Sequence, residues 1–417
     1  MRHEADAPLV RLGIAGLGSA GGTILAAALS HPGFKVTAAA DVRKEARDKF
    51  ASEVGGEVFE RVEDLCANPN IDAIHVATAH EFHAAHTVAA AEHAKHIILE
   101  KPMALTLAEC DAMVEAADRH GVKLLVGRGS HGFDPPILKM RQIIAAGDLG
   151  RLGMVNNWKY AEFLYTPLTP AELLDTRVGG GIFFNQGPHQ MDVIRVVGGG
   201  LVKSVRATAF KWDPERPIEG AYTAFIEFES GAAATMVYSG YDRFDSDEFH
   251  FWLGTYGSPK PSDRHGASRR GLRQLGGIDA EAARRSAGAY GGGGERHFVP
   301  SAHPAGAADQ HHAHFGTTIV SCERGDMRQS PNGVFIYDEE GMRDIPVPFG
   351  RGTRDNVLDE FYDAIVHDRP LIRDGRWGRA TIEACLAILE SSETKREVML
   401  SRQVPIGEEL LPSWLGT

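Results

Sequence analysis

The feature that most constrains this 417-residue chain stands near its start, where Gly16, Gly18 and Gly21 form G-x-G-x-x-G directly after the apolar run Val10 to Ala15. Strand, glycine turn, then helix is the order of a βαβ unit that holds a pyrophosphate. The first glycine permits the tight turn, the second lets the backbone approach the anion, and the third lets the helix pack closely. The helix that follows begins near Gly21 and its free N–H groups suit an anion, with Ser19 and Ala20 among the expected cofactor-binding residues. Asp41 stands 20 positions after Gly21 (41 minus 21), where a carboxylate accepts hydrogen bonds from ribose hydroxyls and favours NAD. Arg43 could offset the repulsion of a 2′-phosphate, so NADP stays open, and so does a plain solvent role for Arg43.

The pattern that follows repeats this unit. Short β-branched runs at Lys35 to Ala40, Ala73 to Ala77, His96 to Leu99 and Val122 to Val126 alternate with amphipathic stretches at Glu81 to Ala94 and Leu107 to His120. A parallel sheet flanked by helices is expected over residues 1–127. Beyond it, a helix at Pro136 to Ala146 precedes longer alternating strands, Ala221 to Glu229 and Ala232 to Tyr238, around a turn at Ser230-Gly231. Strands at Thr317 to Cys322 and Val334 to Tyr337 and helices at Asp355 to His367 and Arg379 to Lys395 complete the expectation. The fold class is α/β: a Rossmann domain over 1–127, then over 128–417 an α+β domain with a large, mainly antiparallel open sheet. Residues 256–314, with Gly291 to Gly294 in a row, read as a long irregular insertion.

Composition narrows the partners. A net charge of -12, from 44 basic and 56 acidic side chains, argues against nucleic acid or an anionic membrane surface. Four dispersed cysteines without a C-x-x-C pair fit a reducing cytoplasm, and no run of 18 apolar residues occurs. The start lacks the order of a secretory signal. His297, His303, His311, His312 and His314 invite a metal reading, but they lie in an irregular stretch that fixes no ligand geometry, so no metal is expected.

Two strings carry a specific resemblance. Ala73 to His83 followed by Lys95 to Pro102 is similar to the T-P-N-x-x-H and E-K-P segments of the glucose-fructose oxidoreductase and inositol dehydrogenase family, with Ala79 and His80 in place of the usual proline and asparagine. Gly179 to Asp192 resembles that family's G-G-G-x-x-x-D-x-G-x-H-x-x-D motif. The resemblance implies that Thr78, His80, His83, Glu100 and Lys101 border the cofactor, that Lys101 also contacts the reacting oxygen, and that His189 is the acid/base. A histidine is suited to that task near neutral pH. Asn185 stands where many members have an aspartate; it can orient a partner but cannot take a proton, so proton transfer is expected to rest on His189 and Lys101. Asp192 is expected to orient the helix or the ring.

Val126 to Pro136, Asn156 to Pro167 and Tyr238 to Gly254 further resemble the phthalate 4,5-cis-dihydrodiol dehydrogenase subgroup, which implies NAD-dependent oxidation of a cis-diol to 4,5-dihydroxyphthalate. Two ring carboxylates would need cations, and Arg128 and Arg177 are the candidates, with His131, Tyr160 and Tyr165 as hydrogen-bonding neighbours. A sugar, inositol or other polyol dehydrogenase is the alternative; a dinucleotide-sensing regulator is a more distant one. Alternation in Ala221 to Tyr238 suggests a sheet face buried against a second subunit, as a homodimer or homotetramer. The whole reading expects Lys101 and His189, from separate domains, to meet at the nicotinamide.

Overall fold

Val10–Ala15 folds as a central strand, β1, because every residue but Arg11 is apolar and buried. A computed structural model describes residues 8–127, 130–166, 175–287, 311–349 and 353–415. The chain continues through α1 (Ser19–Ser30), β2 (Phe34–Ala40), α2 (Lys44–Glu53), β3 (Glu57–Phe59), α3 (Val62–Cys66), β4 (Ala73–Val76), α4 (His83–Glu92), β5 (His96–Leu99), α5 (Leu107–His120) and β6 (Leu124–Val126). These strands make a parallel six-stranded sheet in the order β3-β2-β1-β4-β5-β6. The order reverses between β1 and β4, and ligands of doubly wound sheets bind beyond the strand ends at such a reversal. Local signals set the clearest boundaries: Thr106 and Glu109 form a capping box at the start of α5, and Gly121, at φ 65°, ends it.

A second unit follows, with α6 (Pro135–Ala146), β7 (Leu152–Tyr160), α7 (Gly181–Asn185), α8 (Gly187–Gly198), β8 (Val202–Phe210), β9 (Ala221–Phe228) and β10 (Ala233–Ser239). After α9 (Ala267–Leu275) and α10 (Ile278–Ala287) come β11 (Thr317–Cys322), β12 (Gly325–Ser330), β13 (Gly333–Asp338) and β14 (Gly341–Pro346). The sheet runs β14-β13-β12-β11-β7-β10-β9-β8, with β15 (Val398–Met399) on its far edge. Its pairs are antiparallel except β7 with β10.

Two expectations need correction. The insertion is not irregular throughout: α9 and α10 form within it, and the N-terminus of α9 is capped from afar by Glu162, which accepts from Ser268 N at 2.9 Å. No local pattern announces a cap that lies about a hundred residues upstream. Nor is the domain boundary a single cut after residue 127. Residues 353–379 return to the first unit, while 130–282, 311–349 and 380–415 form the other. Within the first unit α11 (Thr353–Val366) buries Val357, Leu358, Phe361 and Tyr362 against Phe34 and Leu25. Arg373 O accepts from Val126 N at 3.0 Å. Of α12 (Gly375–Thr394), Arg379 pairs with Asp111 at 2.8 Å in the first unit, and the helix from Ala380 belongs to the second.

Candidate active site

The glycine turn has the shape its residues demand. Gly16 lies at φ 91°, and a Cβ there would stand 2.5 Å from Ala77 O; at Gly21 a Cβ would stand 1.8 Å from Gly16 O. At Gly18 the same position meets nothing within 4 Å, which leaves the backbone open to an approaching anion. No side chain caps α1, so the N–H groups at Ser19 and Ala20 remain for a phosphate. These residues fit a dinucleotide, held by the turn and by the start of α1.

Asp41 is buried, and its oxygens are engaged. Oδ2 accepts from Leu17 N at 2.8 Å and Arg43 Nη2 at 3.0 Å, while Oδ1 accepts from Arg43 N at 2.8 Å and Arg43 Nε at 3.0 Å. A carboxylate has about four lone-pair sites, so a ribose hydroxyl must displace Arg43 to reach it. Arg43 is therefore neither a plain solvent side chain nor a ready phosphate ligand; it is the counter-ion of Asp41.

At the ends of β4 and β5 the predicted residues divide. His83 is fully buried, with Nδ1 2.8 Å from Pro102 O and Nε2 3.1 Å from Thr78 O. The expectation that His83 borders the cofactor is corrected: it ties the β4 loop to the β5 loop, and burial holds its pKa below the ordinary value. Thr78 Oγ1 bonds His86 Nδ1 at 2.9 Å, and the half-buried His80 ring packs on His83 with centroids 5.5 Å apart. Glu100 is buried, with its carboxylate 3.4 Å from His75 Nε2. Lys101 follows at the carboxyl end of β5, half-buried, before a cis bond to Pro102.

In the second unit, His189 stands near the start of α8, and the residue after it fixes that helix to the sheet. Gln190, fully buried, accepts from Tyr222 Oη at 2.6 Å and donates to Val237 O at 2.8 Å and to Asn157 Oδ1 at 2.5 Å. Asp192 accepts from Ser130 Oγ at 2.5 Å and Thr381 Oγ1 at 2.6 Å, which fixes the helix in place. Asn185 closes α7 and accepts from Gln186. The His189 ring packs against His131 at 5.0 Å and Phe315 at 5.2 Å between centroids. His131 Nδ1 lies 2.7 Å from Asp134, a wholly buried carboxylate that no sequence motif marks.

The expected carboxylate ligands fare less well. Arg177 is exposed and clamps Asp175 at 2.6 Å, so its guanidinium is already matched; Arg128 lies outside the described residues. Tyr165 Oη donates to Asp213 at 2.6 Å beneath the Arg269 guanidinium and lines an opening of about 670 Å³. Tyr160 is half-buried beside Phe244, and burial raises its phenol. A smaller cavity, about 280 Å³, adjoins Gln186 and Tyr238 on the His189 side of the sheet. His312 and His314 bond the carbonyls of Val347 and Leu253, each at 2.8 Å, and His311 bonds Asn332 at 2.9 Å; His297 and His303 lie outside the described residues.

Two family models match the chain. "Oxidoreductase family, NAD-binding Rossmann fold" covers residues 10–128, and "GFO/IDH/MocA C-terminal domain" covers 137–258. The chain belongs to the GFO/IDH/MocA oxidoreductase family. It is an NAD-dependent dehydrogenase, as the glycine turn and the family resemblance implied. A relative from Comamonas testosteroni, 1-carboxy-3-chloro-3,4-dihydroxycyclohexa-1,5-diene dehydrogenase, is 36% identical over 392 residues, 92% of this chain and 95% of that one. The crystal structure of a dehydrogenase from Bordetella bronchiseptica RB50 is similar at a TM-score of 0.85 and 44% identity, over 94% of this chain and all of that one. Levoglucosan dehydrogenase in complex with NADH and levoglucosan shares the fold at a TM-score of 0.69 and 18% identity, over 94% of this chain and 99% of the other. Among the described residues no helix is long and apolar enough to cross a membrane.

Proposed function

We propose that this dehydrogenase oxidises a carboxylated cyclic cis-dihydrodiol, in the finest reading the cis-4,5-dihydrodiol of phthalate, to the corresponding catechol. The observation that carries this is the 36% identity, along nearly all of both chains, to a dehydrogenase named for a carboxylated dihydroxycyclohexadiene. The aromatic wall of His131 and Phe315 around His189 suits a planar ring.

In this reading His189 accepts the proton of the reacting hydroxyl, and Lys101 donates a hydrogen bond to the same oxygen. Asn185 orients its neighbours without taking a proton. Bound NAD supplies the acceptor for the hydride that leaves the carbinol carbon. The resulting dienone carries one ring C–H proton to its carbonyl oxygen and becomes aromatic, which makes the direction downhill. Asp134 holds His131 in one orientation beside His189.

The same reading assigns the protein to the cytoplasm, in keeping with four free thiols. It also assigns it a homodimer or homotetramer through the open face of the second sheet, where Met154, Trp158 and Phe225 are exposed.

The deciding experiment follows NADH formation with phthalate cis-4,5-dihydrodiol, an uncharged cyclohexadiene cis-diol, myo-inositol and glucose. Turnover of the carboxylated diol at a kcat/KM far above the polyols supports the proposal. Turnover of the polyols alone assigns the chain to their oxidation, and cofactor binding without turnover of any of them makes it a regulator.

A further inference from the structure

The cavity beside Gln186 and Tyr238 is walled by β7, by the loop after β10 and by the insertion that carries α9. On β7 the side chains of Val155, Asn157 and Lys159 share one face, because strand side chains alternate, and all three are buried. Gln190 of α8 covers Asn157, and Lys159 is the next residue along that face. Its ammonium stands 5.1 Å from the centroid of Phe315, the ring that packs against His189 on its other flank.

Lys159 is only 5% exposed, yet it lines the cavity. Its ammonium donates to Thr255 Oγ1 at 3.1 Å and lies 3.6 Å from Asp247. An ammonium has three donors, and Asp247, whose Oδ1 faces Lys159, takes Lys260 on its other oxygen at 2.9 Å. Lys159 and Lys260 together balance Asp247 and Asp245. Asp245 pairs with Lys260, and Glu162 pairs with Arg269 at 3.3 Å while capping α9. Arg243 and Arg264, both exposed, line the same cavity and have no carboxylate partner among the described residues. Arg243 and Arg264 therefore give the site a surplus of positive charge around about 280 Å³, a volume suited to one six-membered ring with small substituents.

We propose that Lys159, with Arg243 and Arg264 at the rim, binds a ring carboxylate of the substrate, in a pocket that Lys260 to Ser268 wall from one side. The proposal rests on the dihydrodiol reading and names the group that reads the substrate's charge, in place of Arg177. A buried cation exacts a desolvation cost that a substrate carboxylate offsets and an uncharged diol does not, so selection acts on charge before it acts on shape.

The test compares kcat/KM for phthalate cis-4,5-dihydrodiol with that for an uncharged cyclohexadiene cis-diol. In Lys159→Gln the ratio of the two falls by about 30-fold, the loss of one charge-assisted hydrogen bond. Equal losses on both substrates, or an unchanged ratio, overturn the proposal. Should Lys159→Gln fail to fold, the double variant Arg243→Ala/Arg264→Ala, altered only at exposed side chains, decides: its ratio falls several-fold or the proposal is wrong. If wild-type enzyme oxidises neither diol, the dihydrodiol reading fails on its own. The pocket is then tested by calorimetry of phthalate binding to NAD-loaded enzyme, where affinity lowered at least tenfold by Lys159→Gln sustains it and unchanged affinity ends it.

Discussion

The imidazole of His131 packs 5.0 Å from that of His189, and its far side is held by Asp134 at 2.7 Å. The family resemblance had pointed to a histidine without a carboxylate relay, since Asn185 replaces the usual acid. A buried carboxylate is nevertheless present one ring away. Asp134→Asn is expected to lower kcat by about 10- to 100-fold, because the tautomer and orientation of His131 lose their anchor. The double variant with His131→Asn should be no worse than the more damaging single change, since residues acting as a unit are not additive. Steady-state kinetics of the four proteins check this, and additive losses would separate the two residues.

Asp41 and Arg43 set cofactor choice by competition. Arg43 fills two of the acceptor sites on Asp41 with its side chain and a third with its own N–H. Removing the side chain in Arg43→Ala leaves Asp41 open to ribose hydroxyls. The kcat/KM for NAD should hold or rise, and that for NADP should fall by about tenfold, as Asp41 then faces the 2′-phosphate without its counter-ion. Asp41→Asn should move the ratio the other way. Kinetics with both cofactors measure it, and a fall for NAD in Arg43→Ala would contradict the competition.

Stability should decline on mild acidification. His250 and His314 stack at 4.0 Å in a buried cluster with Asp247, Lys159 and Lys260. Burial lowers His314 to about 4 and His250 to about 2, from an ordinary 6.5. Between pH 6.5 and about 4 the unfolded chain binds protons at both positions and the folded chain does not, so stability is full above 6.5 and lost as pH falls through that window. At pH 5 the loss is on the order of 2 kcal/mol per histidine, from 1.5 pH units at about 1.4 kcal/mol each. Asp247, held at about 2 against desolvation, first by Lys159, adds a second loss only below its ordinary 3.8. Urea midpoints at pH 5, 6 and 7 provide the check; a flat profile would mean the pair charges without penalty.

The second sheet leaves Phe225 46% exposed and Met154 54% exposed on its open face. Phe225→Asp should convert an oligomer to monomer at micromolar concentration, because burying an unpaired carboxylate in an interface costs several kcal/mol. Sedimentation velocity distinguishes the species. A wild-type protein that sediments as a monomer would remove this role from the face.

Much of the first unit was legible because its signals are local. The runs Val10–Ala15 and His96–Leu99 and the helix Leu107–His120 lie where periodicity and capping place them, and the glycine turn states its own geometry. β3 escaped because its three residues are too few to show a period. In the second unit β7 was legible only as a string of polar and aromatic residues. Asn157 and Lys159 alternate with Trp158 and Tyr160, and a strand with buried polar side chains reads as its own reverse, since solvent-facing and core-facing polar positions look alike until partners are known.

Residue order alone thus determined the dinucleotide turn, the parallel sheet around it and the family, since each depends on neighbours within one βαβ unit or one motif. Tertiary structure alone decided that α11 belongs with the first unit, that Glu162 caps a helix a hundred residues away, that Asp134 serves His131, and that Lys159 is buried at a cavity. Those outcomes are pairings of side chains distant in sequence, and a pairing has no signature in either partner by itself.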